Sequence, residues 1–202
     1  MFVTLEGIDG SGKTTQAALL AEWLRGGGRE VLLLREPGGT PLGERLREVL
    51  LGGPAMTGWA EVALFAAARA ELVERVIRPA LERGAAVVCD RYLDSSLVYQ
   101  GLARGLGAEA VYELNMTVTG GLLPEKTFVL LLDSETSRAR LTGVPDRIES
   151  EDDAFRLRLA DGYGKILSMF PERCAALDAA KSPATIAEEI RDELARVGAR
   201  AG

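Results

Sequence analysis

Along the chain, short apolar runs alternate with stretches of helical periodicity, the arrangement that builds a parallel sheet covered by helices. Residues 2–6 form the first strand-like run. A glycine-rich loop follows, then a helix from about Thr14 that carries Ala17, Leu20 and Leu24 on one face and is stopped by Gly26 to Gly28. Residues 31–34 are wholly apolar, as a strand covered on both faces would be. Thr40-Pro41 reads as an N-cap with proline at the first helical position. Residues 57–82 predict one long helix, bent near its end by Pro79. A third buried strand at 85–89 leads into Asp90-Arg91-Tyr92, and helical segments follow around 95–102 and 108–118. The clearest strand is 127–132. A helix begins over 136–140, and 141–153 is polar and broken by Gly143 and Pro145, the pattern of an exposed mobile loop. A helix over 153–169 and a weak fifth strand at 174–177 come next. The last helix is capped by Ser182-Pro183 and places Ile186, Ile190, Leu194 and Val197 on one face. With no repeat, low-complexity tract or long linker, the expectation is one α/β domain over residues 1–202, with five parallel strands and helices on both faces.

Composition narrows the chemistry. The 202 residues are 47% hydrophobic and 27% charged, an ordinary globular balance. The net charge of −6 argues against a nucleic-acid-binding surface over the whole protein, though a local arginine cluster can still hold small anions. There is no histidine, which removes Ser–His–Asp and Cys–His mechanisms, His-ligated zinc and a His general base. Four lysines (Lys13, Lys126, Lys165 and Lys181) leave 20 arginines among the 24 basic residues. Arginine is the planar fork suited to phosphate. Cys89 and Cys174 have no metal-binding spacing and fit a reducing cytoplasm as small buried residues. No run reaches the length of a membrane span, and the N-terminus lacks the pattern of a signal peptide.

Residues Gly7, Ile8, Asp9, Gly10, Ser11, Gly12, Lys13 and Thr14 match G-x-x-x-x-G-K-[ST] between a strand and a helix, as a phosphate-binding loop requires. The glycines let backbone N–H groups turn inward on phosphate oxygens, Lys13 adds a charge at the β/γ-phosphates, and Thr14 can bind Mg²⁺ at the helix N-terminus. A guanine reader would carry Asn-Lys-x-Asp, but the only asparagine, Asn115, precedes Met116. The expected nucleotide is therefore ATP, in a transferase or an ATPase.

Three further segments follow strands or face the same rim: Arg35-Glu36-Pro37-Gly38-Gly39-Thr40, Asp90-Arg91-Tyr92, and the stretch from Ser95 to Gly101. An arginine at each of two strand ends suggests a second anion site. Phe65 and Arg69, four apart on a helix, could stack on and bond a base; equally, Phe65 could be core and Arg69 a solvated charge.

The ordered motifs EGIDGSGKTT, REPGGT, FAAAR, DRY, SSLVYQG and DRIE resemble the bacterial thymidylate kinase family over residues 2 to about 180. The resemblance implies a three-layer P-loop kinase that moves the γ-phosphate of ATP to dTMP. It implies that Phe65 stacks on thymine while Arg69, Gln100 and Ser96 contact the base, and that Arg35 and Arg91 hold the 5′-phosphate. Asp9 would meet the 3′-hydroxyl or the metal shell, and Tyr99 would crowd the 2′ position. Asp90 with Thr14 would serve Mg²⁺. The P-loop through Thr15, the segment near Ala180 beside adenine, and Arg138 and Arg140 would bind ATP. Of two family patterns, one carries an extra arginine in the loop; Gly10 places this chain with the other, whose catalytic arginine lies in a LID, here about 136–150, with Arg147 as main candidate. Lys13, Asp9 and Arg91 complete the implied catalytic set. The resemblance further implies a cytoplasmic homodimer with no nucleic-acid polymer or membrane as partner. The competing class, a P-loop switch, would bind nucleotide without an acceptor; the acceptor-like arginines argue against it.

Overall fold

The computed structural model describes residues 1–141 and 145–200, with the side chains of 197–200 left aside. Gly143 and the face assigned to Val197 thus lie outside the described residues. Within them, β1 (Phe2–Gly7), β2 (Val31–Arg35), β3 (Ala86–Asp90), β4 (Lys126–Leu131) and β5 (Cys174–Asp178) form one sheet in the order β2-β3-β1-β4-β5. Every pairing is parallel. The central strands β1, β3 and β4 are buried nearly throughout, which is why they read as continuous apolar runs. From β1 the chain moves to one side for β2 and β3 and to the other for β4 and β5. The loop after β1 therefore opens at the reversal of strand order, where parallel sheets hold ligands.

Helices cover both faces. α1 (Lys13–Gly26) packs on β1, β2 and β3 and on the last helix, α9 (Pro183–Arg200); Gln16 Nε2 donates to the Pro183 carbonyl at 2.9 Å. On the other face lie α2 (Pro41–Gly52), α3 (Gly58–Leu72), α4 (Arg78–Glu82), α5 (Leu93–Ser96), α6 (Ala108–Thr119) and α8 (Asp153–Met169); α7 (Ser134–Arg140) follows β4. The expected caps form: Thr40 Oγ1 accepts from Gly43 N at 2.9 Å, and Ser182 Oγ from Thr185 N at 3.2 Å.

Three expectations need correction. Strand β2 lies at the sheet edge, so Leu33 is 41% exposed rather than covered on both faces. The long helix is not uniform. A π-helical turn, Val73–Ile77, separates α3 from α4, and Arg78 N–H reaches back to the Val73 carbonyl. Pro79 has no N–H for the carbonyl four residues earlier, and the wider turn just before it absorbs the mismatch. A second π-helical turn, Leu97–Ala103, continues α5 in the SSLVYQG stretch. Lastly, the stretch 145–152, within the loop expected over 141–153, is not an exposed run. Ile148 is buried, and Asp146 folds the turn by accepting from Ile148 N and Glu149 N, both at 2.8 Å.

Candidate active site

The carboxyl ends of β1, β2 and β3 open into a cleft of about 790 Å³. One side of it is the loop between β1 and α1. Gly12 takes the left-handed conformation (φ +94°) from which α1 starts, so the helix N-terminus faces the cleft. Gly10 (φ +76°) sits under α7: a Cβ there would lie 2.8 Å from the Ser137 carbonyl oxygen. No side chain fits this loop position unless α7 moves, so the chain has no room for a loop arginine. Ser137 Oγ donates to the Asp9 carbonyl at 2.7 Å and holds α7 there.

Lys13 is buried. Its Nζ donates to the Ile8 carbonyl at 2.8 Å and lies 3.9 Å from Asp9 Oδ1. Burial, with Arg91 adding to it, pushes the ammonium down to about 8 against the attraction of Asp9, Asp90 and Glu6. Thr14 Oγ1 donates to Asp90 Oδ2 at 2.5 Å, while Asp90 Oδ1 is buried with no partner. An orphaned carboxylate oxygen beside a hydroxyl suits Mg²⁺, which binds through one or two protein oxygens and otherwise through phosphates and water. Among the described residues no three His, Cys, Asp or Glu side chains cluster as a metal cage.

Another side of the cleft centres on Arg91, whose φ of +72° is the left-handed region, unusual for a residue with a side chain. Its neighbours impose this. Arg91 N donates to the Leu5 carbonyl at 3.0 Å, and Tyr92 N to Glu6 Oε1 at 2.7 Å. The guanidinium then meets Asp9 Oδ1, the Gly7 carbonyl (3.1 Å) and Ser95 Oγ (3.1 Å), and lies over the Tyr99 ring. Tyr99 Oη donates to Asp9 Oδ2 at 3.2 Å. Burial alone would raise the Asp9 carboxyl, but Arg91 and Lys13 outweigh it and hold it at about 2. Glu6, wholly buried, also accepts from Ser95 Oγ at 2.6 Å and is raised to about 7 by burial and by Asp94.

Deeper in the cleft lie Phe65, Arg69, Ser96 and Gln100. Arg69 is not a solvated charge: it is 1% exposed, and all three of its guanidinium nitrogens are engaged. Nε donates to Glu36 Oε2 (2.7 Å), Nη1 to Ser96 Oγ (3.1 Å) and Asn115 Oδ1, and Nη2 to the Tyr92 carbonyl (3.1 Å). Phe65 is half-buried at the cleft wall.

Residues 5–190 match the sequence model of the family described as Thymidylate kinase. The chain belongs to the thymidylate kinase family. It is 46% identical over 196 residues to a thymidylate kinase of an Exiguobacterium species, covering 95% of this chain and 92% of that one. It is 47% identical over 194 residues to the thymidylate kinase of Deinococcus radiodurans, covering 94% of each. The crystal structure of thymidylate kinase from Ehrlichia chaffeensis superposes with a TM-score of 0.80 at 34% identity, over 96% of this chain and 98% of that chain. The three-layer P-loop kinase fold read from the motifs is the fold of this family.

Most residues that the family resemblance singled out converge on the cleft: Asp9, Gly10, Gly12, Lys13, Thr14, Thr15, Arg35, Phe65, Arg69, Asp90, Arg91, Ser96, Tyr99, Gln100 and Arg140 line it. The LID candidates separate. Arg140 Nη1 donates to the Ala179 carbonyl at 3.0 Å and reaches the Gly10 carbonyl at 3.4 Å. Arg138 pairs with Asp153 outside the cleft. Arg147, the main candidate, is not at the cleft: its Nη1 meets Glu61 Oε2 at 2.7 Å and its Nε donates to the Leu50 carbonyl at 2.8 Å. A buried carboxylate offers it a stronger partner than the open cleft does. Ala180 is exposed and outside the lining, although its neighbour Ala179 holds Arg140.

The sequence alone points to no role for Arg47, Glu36, Glu61 or Glu6. Arg47 lines the cleft and donates to the Pro37 carbonyl at 3.0 Å; burial, then Arg35, lowers its pKa. Its signal was the i, i+3 spacing from Glu44 just inside a capped helix. Glu61 stands four residues before Phe65 and eight before Arg69, on their helical face.

Proposed function

We propose that the chain transfers the γ-phosphate of ATP to dTMP, giving dTDP and ADP. The observation that carries this reading is that the P-loop with Lys13 lines the same cleft as Arg35, Arg91, Phe65 and Arg69. The acceptor phosphate is already anionic, so no general base is required, in keeping with a chain that has no histidine. Its residues then act by placement and charge. Lys13, kept protonated by the phosphates it meets, neutralises the transferring group. Arg91, locked by Asp9, Gly7 and Ser95, and Arg35 with Arg47 beside it, orient the acceptor phosphate. Arg140, on the helix clamped over Gly10, is the arginine placed to meet charge at the transferred group, and it takes the role the sequence pointed to in Arg147. Phe65 stacks on the base, Ser96 and Gln100 border it, and Arg69 forms the pocket floor. Asp9 and Tyr99, bonded to each other, border the sugar. Mg²⁺ held by Thr14 and Asp90 would neutralise phosphate charge. The same family reading implies a homodimer working in the cytoplasm. Among the described residues no helix is long and apolar enough to cross a membrane.

Phosphorus NMR of Mg-ATP with dTMP and the protein tests the reaction. Resonances of dTDP and ADP in equal amounts are expected; ADP with inorganic phosphate and unchanged dTMP would overturn it.

A further inference from the structure

A buried carboxylate packs behind Gln100 of the cleft. Glu61, on α3, is 1% exposed and accepts from four groups: Gln100 Nε2 at 2.8 Å, Arg104 Nε at 2.7 Å, Arg104 Nη2 at 2.9 Å and Arg147 Nη1 at 2.7 Å. Arg104 also meets Glu151 at 2.8 Å. One carboxylate thus joins a residue of the base pocket to both ends of the 147–151 segment.

We propose that Glu61 is a positioning residue that sets the donor and acceptor polarity of Gln100 toward the base, and that it docks the 147–151 segment in the same network. A carboxylate only accepts, so the face of the Gln100 amide turned to Glu61 must be its NH₂. The oxygen is thereby turned the other way. Gln100 lines the cleft, and its Oε1 is buried without a partner, an acceptor that awaits an N–H. Thymine offers such a donor at N3. Cytosine has an unprotonated N3 there, which would set two acceptors against each other. Glu61, which does not line the cleft, would therefore select a base carrying a ring N–H. The inference rests on the reading of the cleft as a dTMP site.

The test measures phosphorylation of dTMP and dCMP by the wild type, Glu61→Gln and Arg147→Met, and inhibition of the wild type by N3-methyl-dTMP. In Glu61→Gln the new amide can donate as well as accept, so Gln100 is free to turn over. The dTMP KM should rise about 10-fold or more, the dTMP:dCMP ratio of kcat/KM should fall by at least about 10-fold, and the ATP KM should stay within about 2-fold. Arg147→Met leaves Gln100 held, so it should keep the wild-type ratio while lowering kcat. A folded Glu61→Gln protein, checked by its thermal melt, that retains the wild-type ratio overturns the proposal, and an unchanged kcat in Arg147→Met overturns its docking half. Should Glu61→Gln fail to fold, N3-methyl-dTMP decides. Inhibition about 100-fold weaker than the binding of dTMP supports the acceptor polarity, and equal binding overturns it. A wild type that does not phosphorylate dTMP at all overturns the functional reading itself.

Discussion

Thr14 Oγ1 and Asp90 Oδ2 stand 2.5 Å apart, tying the start of α1 to the end of β3, while the second Asp90 oxygen is buried and unpartnered. Replacing Asp90 by Asn keeps an acceptor for Thr14 but removes the charge a divalent ion would meet. The Mg²⁺ concentration for half-maximal activity should rise about 10–100-fold, with the dTMP KM at saturating Mg²⁺ changed by less than about 3-fold. Magnesium titrations of initial rate check this. An unchanged requirement would remove Asp90 from the metal site.

Arg69 and Glu36 form a buried pair whose salt-bridge contact is 2.6 Å, and Glu36 Oε1 has no partner. Burial raises the Glu36 carboxyl, and Arg69 opposes this. Arg69→Ala strands that carboxylate, so it should cost about 3–5 kcal/mol of stability in addition to weakening dTMP binding. The double variant Glu36→Gln/Arg69→Met should recover much of the stability without recovering the dTMP KM. Urea unfolding and steady-state kinetics separate the two effects.

Arg140 and Arg138 are two residues apart, yet only Arg140 faces the loop. Arg140→Met should lower kcat on the order of 10²-fold or more. Arg138→Met loses an exposed ion pair with Asp153 and should stay within about 3-fold. Similar losses in both would return the assignment to an undivided LID.

Glu6 is raised to about 7 by burial and Asp94, so the folded state holds its proton more tightly than the unfolded chain does. Its contribution to stability is fully present below the ordinary glutamate range, near 4.5, and is lost as pH rises through about 7. Glu6→Gln removes that loss. The melting temperature of the variant relative to wild type should therefore increase between pH 5 and pH 8. A difference that is flat with pH would contradict a protonated Glu6 in the folded protein.

Much of this was legible in the sequence. Strands β1, β3 and β4 are buried on both faces, so burial alone imposes a continuous apolar run, and each was read to within a residue or so. Strand β2 carries the same composition at an edge, where no local signal distinguishes half-covered from covered. The π-helical turn before Pro79 depends on how the helix reconciles one missing N–H with continued packing, which periodicity does not encode. The loop residues that line the cleft were legible because the phosphate-loop motif fixes residue types at fixed spacing. Glu61 and Glu36 were not, because their roles come from arginines brought to them from 33 to 86 residues away along the chain. The position of Arg147 away from the cleft was not legible for the same reason: sequence shows the arginine but not the buried carboxylate that engages it.

A coupled ADP-release assay with Mg-ATP across dTMP, dUMP, dCMP, AMP and GMP tests phosphoryl transfer to dTMP. Stimulation over ATP alone should be strongest with dTMP. ADP release that dTMP does not stimulate, or that another monophosphate stimulates more, would contradict it.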